Sequence, residues 1–374
     1  MRILALYPGL NSAVNDVFYV LKHLAMIKDV EILVLTQGAN PTKSIDVSAR
    51  EEVHGRLRIM RPFRNSYERC YLFGLHKDII IREVSSFEPE VILCSQESNL
   101  PLSVQIVRWF GKLPIALVSE YASKFLDGED LSPSVRLQRV LTGIPTAKHR
   151  IAGWVTQTLQ AIISCWPDED INAIRLKVPD VNVQLIPWAN EVLVTDPDIP
   201  RLRSRAAFAG ALTDNKNLED LLVTLPILFE TTPLRQFVVV GRGNESVLRQ
   251  LRRRMDGRVL HFPGLTKLEV QTLLRSSYFG YTPAKTGSWG FMLDCWCTGT
   301  PLVVASNDFG LRPGEDSLLV GDRRRVGEVV GRLYSDQGFR DTLAREGLRR
   351  FWSFHTAEVA AAAYWQTLRG ALGA

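Results

Sequence analysis

"RILALYPGLNSAVNDVFYVLKHLAMIKDVEILVLTQG", residues 2–38, reads as strand, helix, strand. The run from Arg2 to Leu6 is apolar and stops at Pro8 and Gly9. Val14, Val17, Phe18, Leu21 and Leu24 then recur at helical spacing, and Ser12 is the expected cap of that helix. Val30 to Gly38 is a second apolar run. A short strand joined through a helix to a second buried strand is a βαβ unit, with its glycine turn at the carboxyl end of the first strand.

The same rhythm continues outward. "EVILCSQ", "IALVSEY", "AIISCWP" and "NVQLIPWAN" are further apolar runs separated by helical segments. Unbroken Val, Ile and Leu in such runs implies a parallel sheet covered on both faces. After the polar, proline-containing passage "EVLVTDPDIPRLRS" a second series follows: "RAAFAGAL", "QFVVVGRGN", "RVLHFPG", "YFGYTP", "PLVVAS" and "DSLLVGD". The 374 residues exceed what one hydrophobic core usually serves. The expected fold is therefore α/β, with two doubly wound, Rossmann-like domains facing each other across a cleft. The expected division is 1–190 for the first domain, 191–204 for the linker, and 205–350 for the second domain. Residues 351–374 are expected as a helix packing back on the first domain.

Composition narrows the function. With 46% hydrophobic and 23% charged residues the chain is of ordinary globular type. Five cysteines without a C-x-x-C pair imply neither a disulfide framework nor a zinc knuckle. "ILALY" is too short for a secretory core or a membrane span, and "IAGWVTQTLQAIISCW" carries Thr and Gln throughout, so a cytoplasmic protein is expected. A formal net charge of +5 suits an anionic ligand or surface.

In open α/β sheets ligands gather at the carboxyl ends of the strands. In the second half those ends are rich in polar residues: "GALTDNKN", "GRGNE", "PAKTGSWG" and "ASNDFG". The segment from Lys285 to Gly290 leads into a helix whose first amides suit a phosphate.

The order of "FAGALTDNKN", "VVVGRGNE", "LHFPG", "TPAKTGSWGFMLDCWCTGTPLVV" and "FGLRPGEDSLLV" resembles the nucleotide-sugar-binding domain of GT-B-fold glycosyltransferases. The closest likeness is to the large retaining glycosyltransferase family 4. It covers about half the chain, and the first half matches in rhythm only. The resemblance implies transfer of a sugar from a nucleoside diphosphate donor, UDP or GDP, to an acceptor, with retention of configuration and without a metal or other cofactor. It assigns Asp294 to the donor ribose hydroxyls, a charge-assisted contact; the alternative is a carboxylate on an exposed helix face. It assigns Lys216 to the donor diphosphate, and places Gly9, Leu10, Asn11, Gly210, Ser288, Trp289 and Gly290 around the donor.

Three positions depart from the family pattern. Ala211 stands where the family has an arginine, and Arg242 is the nearest substitute. Gly287, or Thr286 on another alignment, stands where the family has the glutamate that touches the sugar. The stretch "LVSEYASKF" carries Glu120 and no histidine, leaving Glu120 as a contact, a base or a loop carboxylate. Glu120, Lys216 and Arg242 are the expected catalytic residues. These departures keep open a GT-B-like pseudoenzyme that binds a partner glycosyltransferase.

Arg136, Arg139, Lys148 and Arg150 lie among Leu, Ile and Trp residues. Such a segment suits an anionic membrane surface or a nucleic-acid backbone, or is a solvated helix face. The acceptor thus stays open among a lipid-linked or glycan hydroxyl and a nucleic-acid base, with a peripheral position at the inner face of the membrane as one outcome.

Overall fold

The computed structural model describes residues 1–10, 15–38, 49–120, 122–128, 139–166, 170–196, 198–285, 288–306 and 310–373. Among these the strands form two sheets. The first runs β3-β4-β2-β1-β5-β6-β7-β8, with β1 at Arg2–Leu6, β2 at Glu31–Gln37, β3 at Glu51–His54 and β4 at Leu57–Phe63. Its other strands are β5 at Val91–Ser95, β6 at Ile115–Ser119, β7 at Ala161–Ser164 and β8 at Asn182–Leu185. The second runs β11-β10-β9-β12-β13-β14, from β9 at Leu202–Ala209 through β10 at Gln236–Val240, β11 at Val259–Phe262, β12 at Ser277–Thr282, β13 at Leu302–Val304 and β14 at Leu318–Leu319. β5, β6, β7 and β12 are buried at every residue, because helices cover both faces.

Two expectations are revised. β3 and β4 form an antiparallel hairpin at the sheet edge, so the first sheet is not wholly parallel. Gly55, at φ +62, makes the tight turn; β3 is the edge strand, and β4, paired with β3 and β2, alternates buried and half-buried residues. β9 begins at Leu202, inside the segment read as linker. The first described helix runs Asp16–Met26 with Asn15 at its cap position; Ser12 lies outside the described residues.

Each sheet reverses its winding once, between β1 and β5 in the first and between β9 and β12 in the second. Those are the places where a crevice opens at the carboxyl ends of the strands.

The chain passes between the domains twice, side by side. Asn190 donates its backbone N–H to the His355 carbonyl and accepts from the Ala357 N–H, both at 2.8 Å. The Gln337–Phe354 helix packs on the helix Trp289–Cys297 of the second domain. The following helix, Ala357–Ala371, lies on Asp16–Met26 and buries Ala357, Ala360, Ala361, Tyr364 and Leu368 in the core of the first domain. All five cysteines are buried and unbonded to one another. No described helix is long and apolar enough to cross a membrane.

Candidate functional site

The two crevices face each other and enclose one cleft of about 450 Å³. The first domain contributes Tyr7 and Pro8 after β1, Gln96 after β5, Glu120 after β6, Trp166 after β7 and Trp188 after β8. Asn15, Asp16 and Val17 add the start of the first helix. The second domain contributes Ala209 to Ala211 after β9, Lys216 from the short turn Asp214–Lys216, and Ser288 to Phe291 after β12.

Local structure explains why these groups stand at the rim. β9 and β10 end in glycines whose backbones nearly touch: a Cβ on Gly241, at φ +135, would lie 1.8 Å from the Gly210 carbonyl oxygen. That contact draws Gly210 and Ala211 over the cleft. Ser288 is 5% exposed and accepts a hydrogen bond from the Thr282 hydroxyl at 3.3 Å, which ties the loop to the end of β12. The helix Trp289–Cys297 then begins with its first turn against the cleft. Gly290 is required there because Asp16 of the other domain comes so close that a Cβ would meet its Oδ2 at 2.7 Å.

The opposite wall is acidic and aromatic. Gln96 adopts φ +66 and ψ 150, a conformation that non-glycine residues rarely hold. Its backbone N–H bonds to the Val118 carbonyl at 2.7 Å and its side-chain amide donates to Glu120 Oε1 at 3.3 Å. Burial pushes the Tyr7 phenol far above its ordinary range, and Glu120 and Asp16 push the same way, so Tyr7 remains a protonated donor. Trp166 meets Trp289 edge-on across the cleft, with ring centroids 6.4 Å apart.

Behind the cleft lies a cluster that the sequence reading missed. Lys267 bonds to Asp16 of the first domain and, at 2.8 Å, to Asp294 Oδ2 of the second. Asp294 Oδ1 also accepts from the Asn190 side chain at 2.9 Å and from Gln271 Nε2 at 3.1 Å. Gln271 in turn donates to the Glu191 carbonyl and accepts from the Leu193 N–H. Burial disfavours the Lys267 ammonium, but the two carboxylates outweigh it and raise its pKa. Burial pushes the Asp294 carboxyl up, and Lys267 pulls it back. A reciprocal cap, Thr266 with Glu269, starts the Lys267–Ser276 helix and fixes Lys267 at its first position. The available signal was Lys267 and Gln271, four residues apart and therefore on one helix face.

Of the expected residues the structure brings Glu120, Gly210, Lys216, Ser288, Trp289 and Gly290 together at one cleft. Lys216 is 8% exposed there. Asn11, Thr286 and Gly287 lie outside the described residues. Four expectations do not fit the geometry. The Gly9 N–H bonds to the Tyr7 carbonyl at 3.1 Å and the Leu10 N–H to Thr36 Oγ1 on β2 at 2.9 Å, so both amides are already engaged within the first domain. Arg242 is exposed and is not among the residues lining the cleft. Asp294 is 4% exposed, does not line the cleft, and has both oxygens engaged in joining the domains, which is neither ribose contact nor an exposed helix face. Arg139 is 2% exposed with its guanidinium 4.9 Å from the Phe125 ring centroid, so it adds nothing to an outward basic patch. Lys148 is exposed and paired with Asp127 at 3.1 Å, Arg150 is exposed, and Arg136 lies outside the described residues. Among the described residues there is no group of three His, Cys, Asp or Glu side chains placed to hold a metal.

Comparison with solved structures supports this architecture over nearly the whole chain. Sucrose-phosphate synthase from Thermosynechococcus elongatus superimposes with a TM-score of 0.71 at 13% identity, covering 99% of this chain and 98% of that one. This is the GT-B fold. Anabaena HepE in complex with UDP-glucose gives 0.65 at 13% identity, covering 99% of each chain, and trehalose-6-phosphate synthase OtsA gives 0.64 at 11%, again over 99% of each. The chain resembles GT-B glycosyltransferases in sequence as well. It is 28% identical over 210 residues to a phosphatidyl-myo-inositol mannosyltransferase of Mycobacterium leprae (strain TN), a match spanning 52% of this chain and 54% of that protein. No protein-family model matches the chain. In the GT-B fold the cleft described above lies between the two sheets at both winding reversals.

Proposed function

We propose that this protein is a glycosyltransferase that moves a sugar from a nucleoside diphosphate donor to an acceptor hydroxyl with retention of configuration. The observation that carries the reading is Lys216, buried in the second-domain wall of a cleft that the strand tips of both sheets line. Charge grows on the diphosphate as the glycosidic bond breaks, and a preorganised ammonium in a water-poor cleft stabilises it. The first turn of the Trp289–Cys297 helix offers backbone N–H groups beside it, where a phosphate gains from the helix dipole. Glu120, on the opposite wall, offers a carboxylate acceptor to a sugar hydroxyl. The chemistry is then positional, and these groups replace a divalent cation at the diphosphate.

UDP-sugars are the first donors to test, since HepE was solved with UDP-glucose. Nucleotide release with a panel of UDP- and GDP-sugars is expected to show turnover that persists in EDTA. Absence of both turnover and saturable nucleotide binding would reject the assignment. A second reading is favoured by Ala211 lining the cleft where an arginine was expected, and by the engaged Gly9 and Leu10 amides. On that reading the protein binds a nucleotide sugar and serves as partner to an active enzyme, and nucleotide binding without transfer would identify it.

A further inference from the structure

We propose that the free edge of the second sheet, β11, receives an extended segment of a partner protein in which apolar and acidic residues alternate. The site lies outside the cleft and does not depend on the glycosyltransferase reading.

β11 ends the sheet order beside β10, so one side of its backbone has no neighbouring strand among the described residues. The Arg258 and Phe262 carbonyls accept from the N–H groups of Phe237 and Gly241, both at 2.9 Å. Strand alternation therefore aims the backbone groups of Val259 and His261 outward. The other sheet edges are blunted. At β8 the Arg175 guanidinium covers the Val183 carbonyl at 2.8 Å, β3 carries Glu51 and Glu52, and β14 is two residues long.

The two faces of the β11 edge differ. His261 turns toward the helix Glu245–Arg254, where its Nδ1 lies 2.9 Å from an Arg252 guanidinium nitrogen, and Val259 on the same face is buried. Leu260 and Phe262 therefore point to the opposite face, where they are 36% and 42% exposed. On the helix, Val247, Leu248 and Leu251 are buried, which leaves Arg249, Arg252 and Arg253, at i, i+3 and i+4, as one outward face. Among the described residues none of these three guanidiniums, nor that of Arg254, is ion-paired; Arg249 Nε reaches the Glu245 carbonyl of its own helix at 3.4 Å. Arg325, Arg340 and Arg349, by contrast, each meet a carboxylate. Like charges at helical spacing repel, and an anionic partner removes that cost.

These features specify the occupant. A strand added to β11 sends alternate side chains to the two faces. Those on the helix side meet guanidiniums, which select carboxylates, and those on the other side meet Leu260 and Phe262, which select apolar groups. Backbone pairing at Val259 and His261 supplies affinity, and the alternation supplies specificity. A second copy of this chain, paired edge to edge, would set two arginine helices side by side, so like charge opposes self-pairing. A bilayer or a nucleic-acid backbone would use the arginines and leave the strand edge empty.

The test uses the full chain and a short, capped, fluorescein-labelled peptide alternating glutamate with valine, titrated by fluorescence anisotropy. It is expected to bind roughly tenfold or more tightly than a peptide of the same composition with its glutamates grouped together, and than its fully N-methylated counterpart. Replacing glutamate by lysine is expected to abolish binding. Hydrogen exchange at the Val259 and His261 amides should slow when the peptide is present. Arg249→Glu combined with Arg253→Glu, and separately Phe262→Ser, are each expected to weaken binding by roughly fivefold or more. All three side chains are exposed, and denaturation midpoints check that the variants stay folded. Equal binding of the grouped or N-methylated peptide means that charge alone acts, and overturns the proposal. So does preference for phosphatidylglycerol vesicles or a thymidine oligonucleotide over the peptide, a dimer in sedimentation that Phe262→Ser dissolves, or the absence of peptide binding. UDP binding, measured on the same samples, is expected to be unchanged in both variants and reports on the cleft independently.

Discussion

The second domain holds two buried lysines whose surroundings differ sharply. Lys267 is pinned between Asp16 and Asp294 in a contact that spans the two domains. Lys216, about equally buried, stands in the cleft wall among glycines and the mouth of a helix. An ammonium bridging carboxylates of two domains belongs to the architecture, whereas one in a cleft wall lies where it can meet a ligand's charge. The comparison shows why a buried charge near a cleft is not by itself a binding residue: Lys216 lines the cleft and Lys267 does not. Asp294 was read as a ligand-binding carboxylate because it lies among motif residues, yet it is the partner of the architectural lysine.

The strongest way to break the comparison is Lys267→Ala. It leaves the buried Asp294 and the half-buried Asp16 without their cation and is expected to lower stability by about 3 kcal/mol or more, read by chemical denaturation. Adding Asp294→Asn should recover part of that loss; no loss in the single variant would mean the pair is not structural. Next in size is a pH effect at the same crossing point. Burial pushes the His355 imidazole down from 6.5 to about 4. The unfolded chain therefore binds a proton between those values that the folded protein does not. Stability is full above pH 6.5 and falls as pH drops toward 4, by about 3 kcal/mol, and His355→Gln should flatten this slope in denaturation midpoints measured across the window.

Lys216→Ala should do the reverse of Lys267→Ala. UDP binding by calorimetry is expected to weaken by roughly tenfold to a hundredfold, about 1.5–3 kcal/mol, while the denaturation midpoint changes little. Unchanged affinity would place the diphosphate elsewhere. The smallest effect sharpens the comparison at the point where the two regions meet. Gly290→Ala puts a methyl group against Asp16 Oδ2, which Lys267 holds in place, and should cost about 1 kcal/mol of stability. It should also alter UDP affinity, because the same helix turn faces the cleft.

Most of the fold was legible in the sequence, because a strand buried on both faces must be apolar throughout and the helices between such strands show their period. The β3–β4 hairpin was not. Charged residues in a hairpin at the sheet edge break the apolar run, as Glu51 and Glu52 on β3 and Arg58 and Arg61 on β4 do here. Half of the candidate site was equally plain: Gly210, Lys216 and Ser288 to Gly290 follow strand ends, where chemistry collects. The partners of Asp294 were hidden because they come from residues 190, 267 and 271, which are remote in sequence from it. Arg139 misled for a related reason, since a basic residue in a basic segment gives no sign that it folds inward over Phe125.

The sequence by itself determined the parallel strands of both sheets, their order and the strand ends at which polar groups collect, since each of these follows from hydrophobic period and from strand ends. The tertiary structure alone decided which of those polar groups line the cleft and which lie behind it. That choice depends on distances between side chains brought together from two domains, and no local pattern encodes a distance across a cleft.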